Sequence, residues 1–284
     1  MKTPKRLESL AEEGLIDAVI GQLMSGKEAT VFIVRCGEEI RCAKVYKDAN
    51  KRSFRQSVKY TEGRKVKNSR RARAMDKGSR FGRQEQEDAW QNAEVDALRR
   101  LANAGVRVPE PYNFLDGVLL MEMVADENGH AAPRLNDLVL TPEQAREYHG
   151  ILIMEVVRML CAGIVHGDLS EYNVLVGQDG PVIIDLPQAV DAAGNNSAGS
   201  MLEHDVENLT RFFGRFAPEL RGTDYGKEIW ALYENGKLHP EVVLTGCFER
   251  IETAPDVDGV MREIDDVIRE EAARQRYKEM LESS

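Results

Sequence analysis

Within residues 174–184 the sequence sets two apolar triplets, Val174-Leu175-Val176 and Val182-Ile183-Ile184, on either side of a turn bounded by Gly177 and Gly180. Two short runs of strand-forming residues around a glycine-bounded turn specify a tight antiparallel hairpin. The ends of this hairpin are polar: Asn173 immediately precedes the first triplet and Asp185 immediately follows the second. Antiparallel pairing therefore predicts that the two face each other at the open end, with Cα atoms roughly 4.5 to 5.5 Å apart. An amide oxygen and a carboxylate so placed can share a hard divalent cation. Mg²⁺ commonly takes only one or two protein oxygens and fills its shell with water and phosphate.

The hairpin follows the run His166-Gly167-Asp168-Leu169-Ser170-Glu171-Tyr172, which with Asn173 makes one loop. Asp168 is placed to orient a hydroxyl group and accept its proton beside that metal. This is the arrangement of phosphoryl transfer, in which a protein mostly positions reactants and neutralises charge. His166 is expected to keep the loop in shape by side-chain hydrogen bonding. The plainer account makes Asp168 and Asp185 turn residues and Asn173 a strand cap. It would serve for an isolated Asp, but it leaves the spacing of all three around two apolar strands unexplained.

Upstream, residues 7–20 are compatible with short helical turns, and 19–24, 30–35 and 40–47 read as strands, the last two joined through Gly37-Glu38-Glu39. Gly21 and Ser25-Gly26-Lys27-Glu28-Ala29 lie at a strand-to-strand turn where backbone N–H groups can approach phosphate; no helix signal follows, so this is not a P-loop. Lys44 sits mid-strand in Cys42-Ala43-Lys44-Val45-Tyr46, and a charge within an apolar strand asks for a phosphate or a carboxylate. Glu94 is the natural carboxylate. It belongs to a helix predicted over 84–104, where Ala89, Trp90, Ala93, Ala97, Leu98 and Leu101 recur at helical spacing and Gly105 supplies the stop. Taken singly, a snorkelling lysine and a solvated glutamate would explain these two residues as well.

Residues 118–124 return to strand texture. A second helix is signalled by Thr141 as N-cap, Pro142 in the first turn, Gln144 in the capping-box position and an apolar face through Ile151, Val156 and Leu160. More helical stretches follow the hairpin, and Trp90 and Trp230 read as core. Strands and one helix first, helices afterwards, predict an α+β protein with a small sheet-rich N-lobe and a larger helical C-lobe.

The 284 residues carry 38 Lys+Arg against 48 Asp+Glu, a net charge of −10 that by itself argues against a nucleic-acid binder. The charge is unevenly spread. Residues 51–83 hold 13 Lys/Arg and only Glu62 and Asp76, so this segment carries +11 and the remainder −21. With few apolar residues and no period, the segment should be a mobile, solvated loop or be ordered only by a partner. No apolar run approaches the ~18 to 20 residues of a membrane span, and the N-terminal residues lack the apolar region of a signal peptide. Cys36, Cys42, Cys161 and Cys247 show no metal spacing. A reduced, cytoplasmic protein without a membrane partner is expected.

On Ser25-Gly26-Lys27-Glu28-Ala29, the Trp90-x-x-x-Glu94 helix, Met121-Glu122, the run from His166 to Asn173, and Ile184-Asp185-x-Pro187-Gln188, the chain resembles the RIO kinases, atypical members of the protein-kinase-like fold. Within the family it resembles the branch with the Gly-Lys-Glu-Ala loop. The resemblance implies residues 1–20 as an N-terminal extension, 21–124 as the N-lobe with a basic loop at 51–83, and 125–284 as the C-lobe. It implies ATP with Mg²⁺ or Mn²⁺, and transfer to Ser/Thr hydroxyls of a protein or of the chain itself. Lys44 would hold the ATP phosphates and pair with Glu94, Ser25 and Lys27 would border the nucleotide, and the hinge backbone at Glu122 and Val124 would read adenine. Asp168 would be the catalytic aspartate, Asn173 and Asp185 the metal ligands, and Asp205 a brace for the catalytic loop or simply an N-terminal helix charge.

In the family Asp185 can also accept phosphate transiently, which opens an ATPase cycle. Met24 departs from the family, which usually carries Ser or Thr there. Kinases of the aminoglycoside and choline type share the His-Gly-Asp loop, the Asn and the metal aspartate but lack the Gly-Lys-Glu-Ala loop and Pro187-Gln188. A non-enzymatic alternative is a nucleotide-gated module that binds RNA or a ribosome-associated partner through 51–83. Ser53, Ser57, Ser69 and Ser79 are the candidate autophosphorylation sites.

Overall fold

The structure, a computed structural model, describes residues 5–47 and 80–248, with side chains described from 91 onward in the second stretch. Most of the basic segment, including Ser53, Ser57, Ser69 and Ser79, lies outside the described residues, as do the Trp90 side chain and the helices expected beyond 248. The described residues up to Cys247 form one compact unit.

The first part of this unit is an antiparallel sheet of β1 (Ala18–Ser25), β2 (Ala29–Cys36), β3 (Glu39–Tyr46), β4 (Pro111–Leu115) and β5 (Val118–Glu122), in the spatial order β1-β2-β3-β5-β4. The central hairpin runs in unbroken register from Ala29↔Tyr46 to Cys36↔Glu39, closed by Gly37 at φ 63°, a left-handed conformation that glycine adopts without strain. Successive strand residues point to opposite faces. On one face Phe32, Val34, Ala43, Val118 and Leu120 are covered by Leu7 and Leu10 of α1 (Lys5–Glu12) and by Ile16. On the other, Ala29, Tyr46 and Leu119 pack with Val95, Leu98 and Leu101 of α2 (Arg80–Asn103). The boundary expected at residue 20 therefore falls inside β1, and the residues before it form the cover of one sheet face. Strand β4 was not legible in the sequence, because its pattern of partly buried residues carries no clean alternation.

The buried face of α2 is Gln91, Glu94, Val95, Leu98 and Leu101, while Ala93 and Ala97 sit at its half-buried margin. Gly105, at φ 74°, ends the helix, and Val106 N–H folds back to the Leu101 carbonyl.

The second part is built on α3 (Pro142–Cys161), whose capping box forms as expected: Gln144 N–H donates to Thr141 Oγ1 at 3.2 Å and Thr141 N–H to Gln144 Oε1 at 3.0 Å. Against α3 pack α4 (Ala198–Phe213) and α5 (Tyr225–Glu234). Trp230, expected in the core, is partly buried against it: a Cβ on Gly199 would lie 2.7 Å from its ring, so only glycine lets α4 approach α5 there. Among the described residues no helix is long and apolar enough to cross a membrane.

Two short pairs complete the lobe, β6 (Ile164–Val165) with β9 (Val190–Asp191), and β7 (Val174–Gly177) with β8 (Gly180–Ile183). The β7–β8 hairpin exists but is shifted by one residue from the expected pairing. Gly177 pairs with Gly180 across Gln178-Asp179, which sets Val174 opposite Ile183 and Asn173 opposite Ile184, whose N–H donates to the Asn173 carbonyl at 2.9 Å. Turn length dictates register. Asp185 thus lies one step beyond Asn173's partner and turns off the strand with φ 65°.

His149 of α3 is buried, with Nε2 3.2 Å from Thr210 Oγ1 and its ring against Phe213 and Tyr225. Burial pulls its pKa down to about 4 from 6.5. Between those values the unfolded chain binds a proton that the folded chain refuses, so stability falls as pH drops through this window, by about 3 kcal/mol in the limit. Urea midpoints measured from pH 7 to 4.5 are expected to decline less steeply for His149→Gln than for the wild type, and parallel declines would refute this assignment.

Candidate active site

Between sheet and helical lobe lies a cleft of about 590 Å³. Val31 and Leu119 line it from the sheet, Leu175 and Ile184 from the β7–β8 hairpin, and Met121 to Val124 from the connecting segment. Lys27, Lys44 and Arg134 and the acidic residues Glu28, Glu94, Glu122, Asp137 and Asp185 supply its charge. An apolar slot with a few convergent charged groups is the usual form of a small-molecule site.

Lys44 occupies the inner end. Its Nζ donates to Glu94 Oε1 at 2.5 Å and to Asp185 Oδ1 at 3.0 Å, so one ammonium ties α2 to the residue after the hairpin. The Lys44 side chain is 12% exposed and that of Glu94 4%, whereas Asp185 is 46% exposed toward the cleft. Burial would pull the lysine down, but the two carboxylates outweigh it and hold its pKa well above the ordinary value. Burial would likewise raise Asp185, and Lys44 reverses this, keeping the carboxyl below its usual range. The second Glu94 oxygen accepts from Tyr46 Oη at 2.8 Å. Tyr46 was not singled out in the sequence, although it lies two residues from Lys44 and so on the same face of the strand. Its backbone carbonyl accepts from Arg6 of α1 at 2.6 Å.

The loop before the hairpin is held from several sides. Asp205 of α4 accepts from Gly167 N–H and Leu169 N–H, both at 2.8 Å, which makes it a loop brace and not merely a charge near a helix start. Its own burial raises its carboxyl to about 6, against the pull of His166 and those two N–H groups. His166 Nδ1 accepts from Asp168 N–H at 3.3 Å, which leaves Nε2 to donate to the Ile184 carbonyl at 3.1 Å. The imidazole thereby joins the loop to the exit of β8. Asn173 Nδ2 donates to the Asp168 backbone carbonyl at 2.7 Å and leaves the side-chain oxygen Oδ1 for another partner. Partial burial and the neighbouring Asp185 raise the Asp168 carboxyl.

The remaining expected positions divide. Lys27 and the hinge residues Glu122 and Val124 line the cleft, while Ser25 does not; its Oγ lies 3.3 Å from Thr30 Oγ1 and accepts from Lys47 at 3.2 Å. Within the same turn Gly26 N–H donates to Ala29 O at 2.9 Å. Asp168 and Asn173 stand on the adjoining loop outside the cleft lining. At the hinge, Glu122 N–H donates to Glu110 O and the Val124 carbonyl accepts from Ala132 N–H, which leaves the Glu122 carbonyl and the Val124 N–H as the groups that can address a base. The Glu122 side chain is held by both guanidinium nitrogens of Arg107, each at 2.8 Å, a contact the sequence did not signal.

A sheet-rich lobe, a helical lobe, and a lysine bound to a helix glutamate and a hairpin aspartate between them define the protein-kinase-like class. The chain belongs to the RIO family, whose domain matches residues 30–225. It is 37% identical over 217 residues to the RIO-type serine/threonine-protein kinase Rio1 of Haloferax volcanii, covering 75% of this chain and 69% of that one. A further archaeal relative of the same name, from Methanocaldococcus jannaschii, is 33% identical over 215 residues, with 75% and 69% covered. The serine/threonine-protein kinase RIO1 of Chaetomium thermophilum is 32% identical over 230 residues, which is 76% of this chain but only 42% of that longer protein.

Tyr46→Phe removes the hydroxyl donor and leaves a buried carboxylate oxygen of Glu94 short of a partner. The expected loss of folding stability is about 1 to 3 kcal/mol by guanidinium unfolding, and an unchanged midpoint would show that the contact contributes nothing.

Proposed function

We propose that the protein is an ATP-dependent serine/threonine kinase that transfers the γ-phosphoryl group to hydroxyls of a protein substrate or of itself. The observation that carries this reading is the buried Lys44 ammonium held between Glu94 and Asp185 at the inner end of an apolar cleft. Bound in this way, the lysine has a fixed position from which to meet phosphate oxygens, and catalysis of phosphoryl transfer rests mainly on such positioning and charge neutralisation. The adenine ring fits the slot between Val31 and Leu175, with the Glu122 carbonyl and Val124 N–H addressing its polar edge.

The donor set suits Mg²⁺ or Mn²⁺: hard oxygens from Asp185, whose carboxyl stays ionised, and from Asn173, whose amide is oriented by its bond to Asp168. Such an ion, when bound, neutralises charge on the phosphates. Asp168 takes the hydroxyl of the acceptor. Its raised pKa makes it a better proton acceptor than an ordinary carboxylate, while the lowered pKa of Asp185 suits a ligand; two carboxyls driven apart in this way divide two roles.

One incubation with γ-labelled ATP, resolved into labelled protein and free phosphate, tests the proposal. Asp168→Ala is expected to lower transfer about 10²- to 10⁴-fold while ATP still binds, and Asp185→Ala to abolish the response to added Mg²⁺ as well. Wild-type transfer from either variant would overturn the assignment. Label that hydroxylamine removes from the wild type, and that Asp185→Ala never acquires, would mark an aspartyl-phosphate and hence an ATPase cycle at the same site.

A further inference from the structure

The cleft contains a cation that the proposed chemistry has not used. Arg134 lines it from the C-lobe side, half-buried, on a backbone fixed by a bridge to Leu175 and by Asp137 N–H, which donates to the Arg134 carbonyl at 2.9 Å. Its Nη2 reaches across the mouth of the cleft to Met24 Sδ, 2.9 Å away, at the end of the β1 strand that leads into the Gly-Lys-Glu-Ala turn. A thioether is a weak acceptor. Among the described residues no carboxylate lies within ion-pair distance of Arg134, whereas Lys44 has Glu94 and Asp185, and Arg107 has Glu122. The positive field of Arg134 also reaches Asp185. A planar guanidinium on a rigid backbone, facing a cleft and matched only to sulfur, is suited to an oxygen anion, above all to phosphate.

We infer that Arg134 is a nucleotide-binding residue, which exchanges its contact with Met24 for the polyphosphate chain of the nucleotide and thereby selects phosphorylated nucleotides over the nucleoside. The inference rests on the cleft being a nucleotide site. The C-lobe then contributes a cation from one lip and the N-lobe contributes Lys44 from the inner end, so the phosphates are held from both sides. The position of Met24 matters here. A serine or threonine in its place would offer Arg134 an oxygen acceptor and compete with the ligand, while the thioether yields readily.

Calorimetric titration of the full chain with ATP, ADP and adenosine, each in the presence of Mg²⁺, tests this. Arg134→Gln is expected to weaken ATP and ADP binding about ten- to a hundredfold, the loss of charge-assisted hydrogen bonds, and to leave adenosine binding within about twofold. In turnover the same variant should raise the KM for ATP by a similar factor, with kcat little changed. Met24→Ala removes the cross-cleft contact but keeps the guanidinium, and its ratio of ATP to adenosine affinity should match the wild type. Equal losses in both variants would make Arg134 a strut for the loop and overturn the inference, as would ATP affinity unaltered by Arg134→Gln. Wild-type protein that binds none of the three ligands would instead refute the nucleotide site on which the inference depends.

Discussion

Burying an ammonium group costs several kcal/mol unless its partners are well placed, and this structure is organised around meeting that cost for Lys44. One partner, Glu94, arrives on a helix fifty residues later in the chain; the other, Asp185, comes from the far lobe. The sheet must therefore present Lys44 on the face toward α2, and α2 must turn the Glu94 side of its surface inward. The β7–β8 hairpin must end within reach of both. Tyr46 shares the requirement, because the second oxygen of a buried carboxylate needs its own donor.

The loop from His166 to Asn173 meets a different demand. It carries the acidic group proposed to act on substrate, yet it has almost no regular structure of its own. Its shape comes from side chains that substitute for a ladder: Asp205 receives two backbone N–H groups, His166 spans from Asp168 N–H to the Ile184 carbonyl, and Asn208 donates to Leu169 O at 3.1 Å. Burial raises the Asp205 carboxyl although His166 and the two N–H donors pull the other way.

The parts legible in the sequence were those with a local cause. The Thr141 capping box, the Gly105 stop, the β2–β3 hairpin and the apolar β7–β8 pair each depend on residues within a few positions of one another. The Lys44–Glu94 pair was legible for a different reason, since a charge in an apolar strand demands a partner and few candidates exist. Register was not: a single residue's difference at the Gly177–Gly180 turn moves Asp185 beyond Asn173's partner, and no side-chain pattern distinguishes the two pairings. Tyr46, Arg107 and Arg134 escaped because their roles are defined by what lies opposite them in space. An arginine on a loop carries no periodicity to betray its direction. The turn at Ser25–Ala29, read as a place where backbone N–H groups can approach phosphate, lies at the cleft through Gly26, Lys27, Glu28 and Ala29, with Gly26 N–H engaged inside the turn.

Arg107 makes the connection between the lobes a doubled one. Its N–H donates to Glu155 of α3 at 3.0 Å, its carbonyl accepts from Ile183 of β8 at 3.0 Å, and its guanidinium grips Glu122 where β5 leaves the sheet. Arg107 lies in the loop between α2 and β4, so these bonds fasten the first lobe to α3 and β8 beside the covalent link at 122–124, and parting the lobes there would break them.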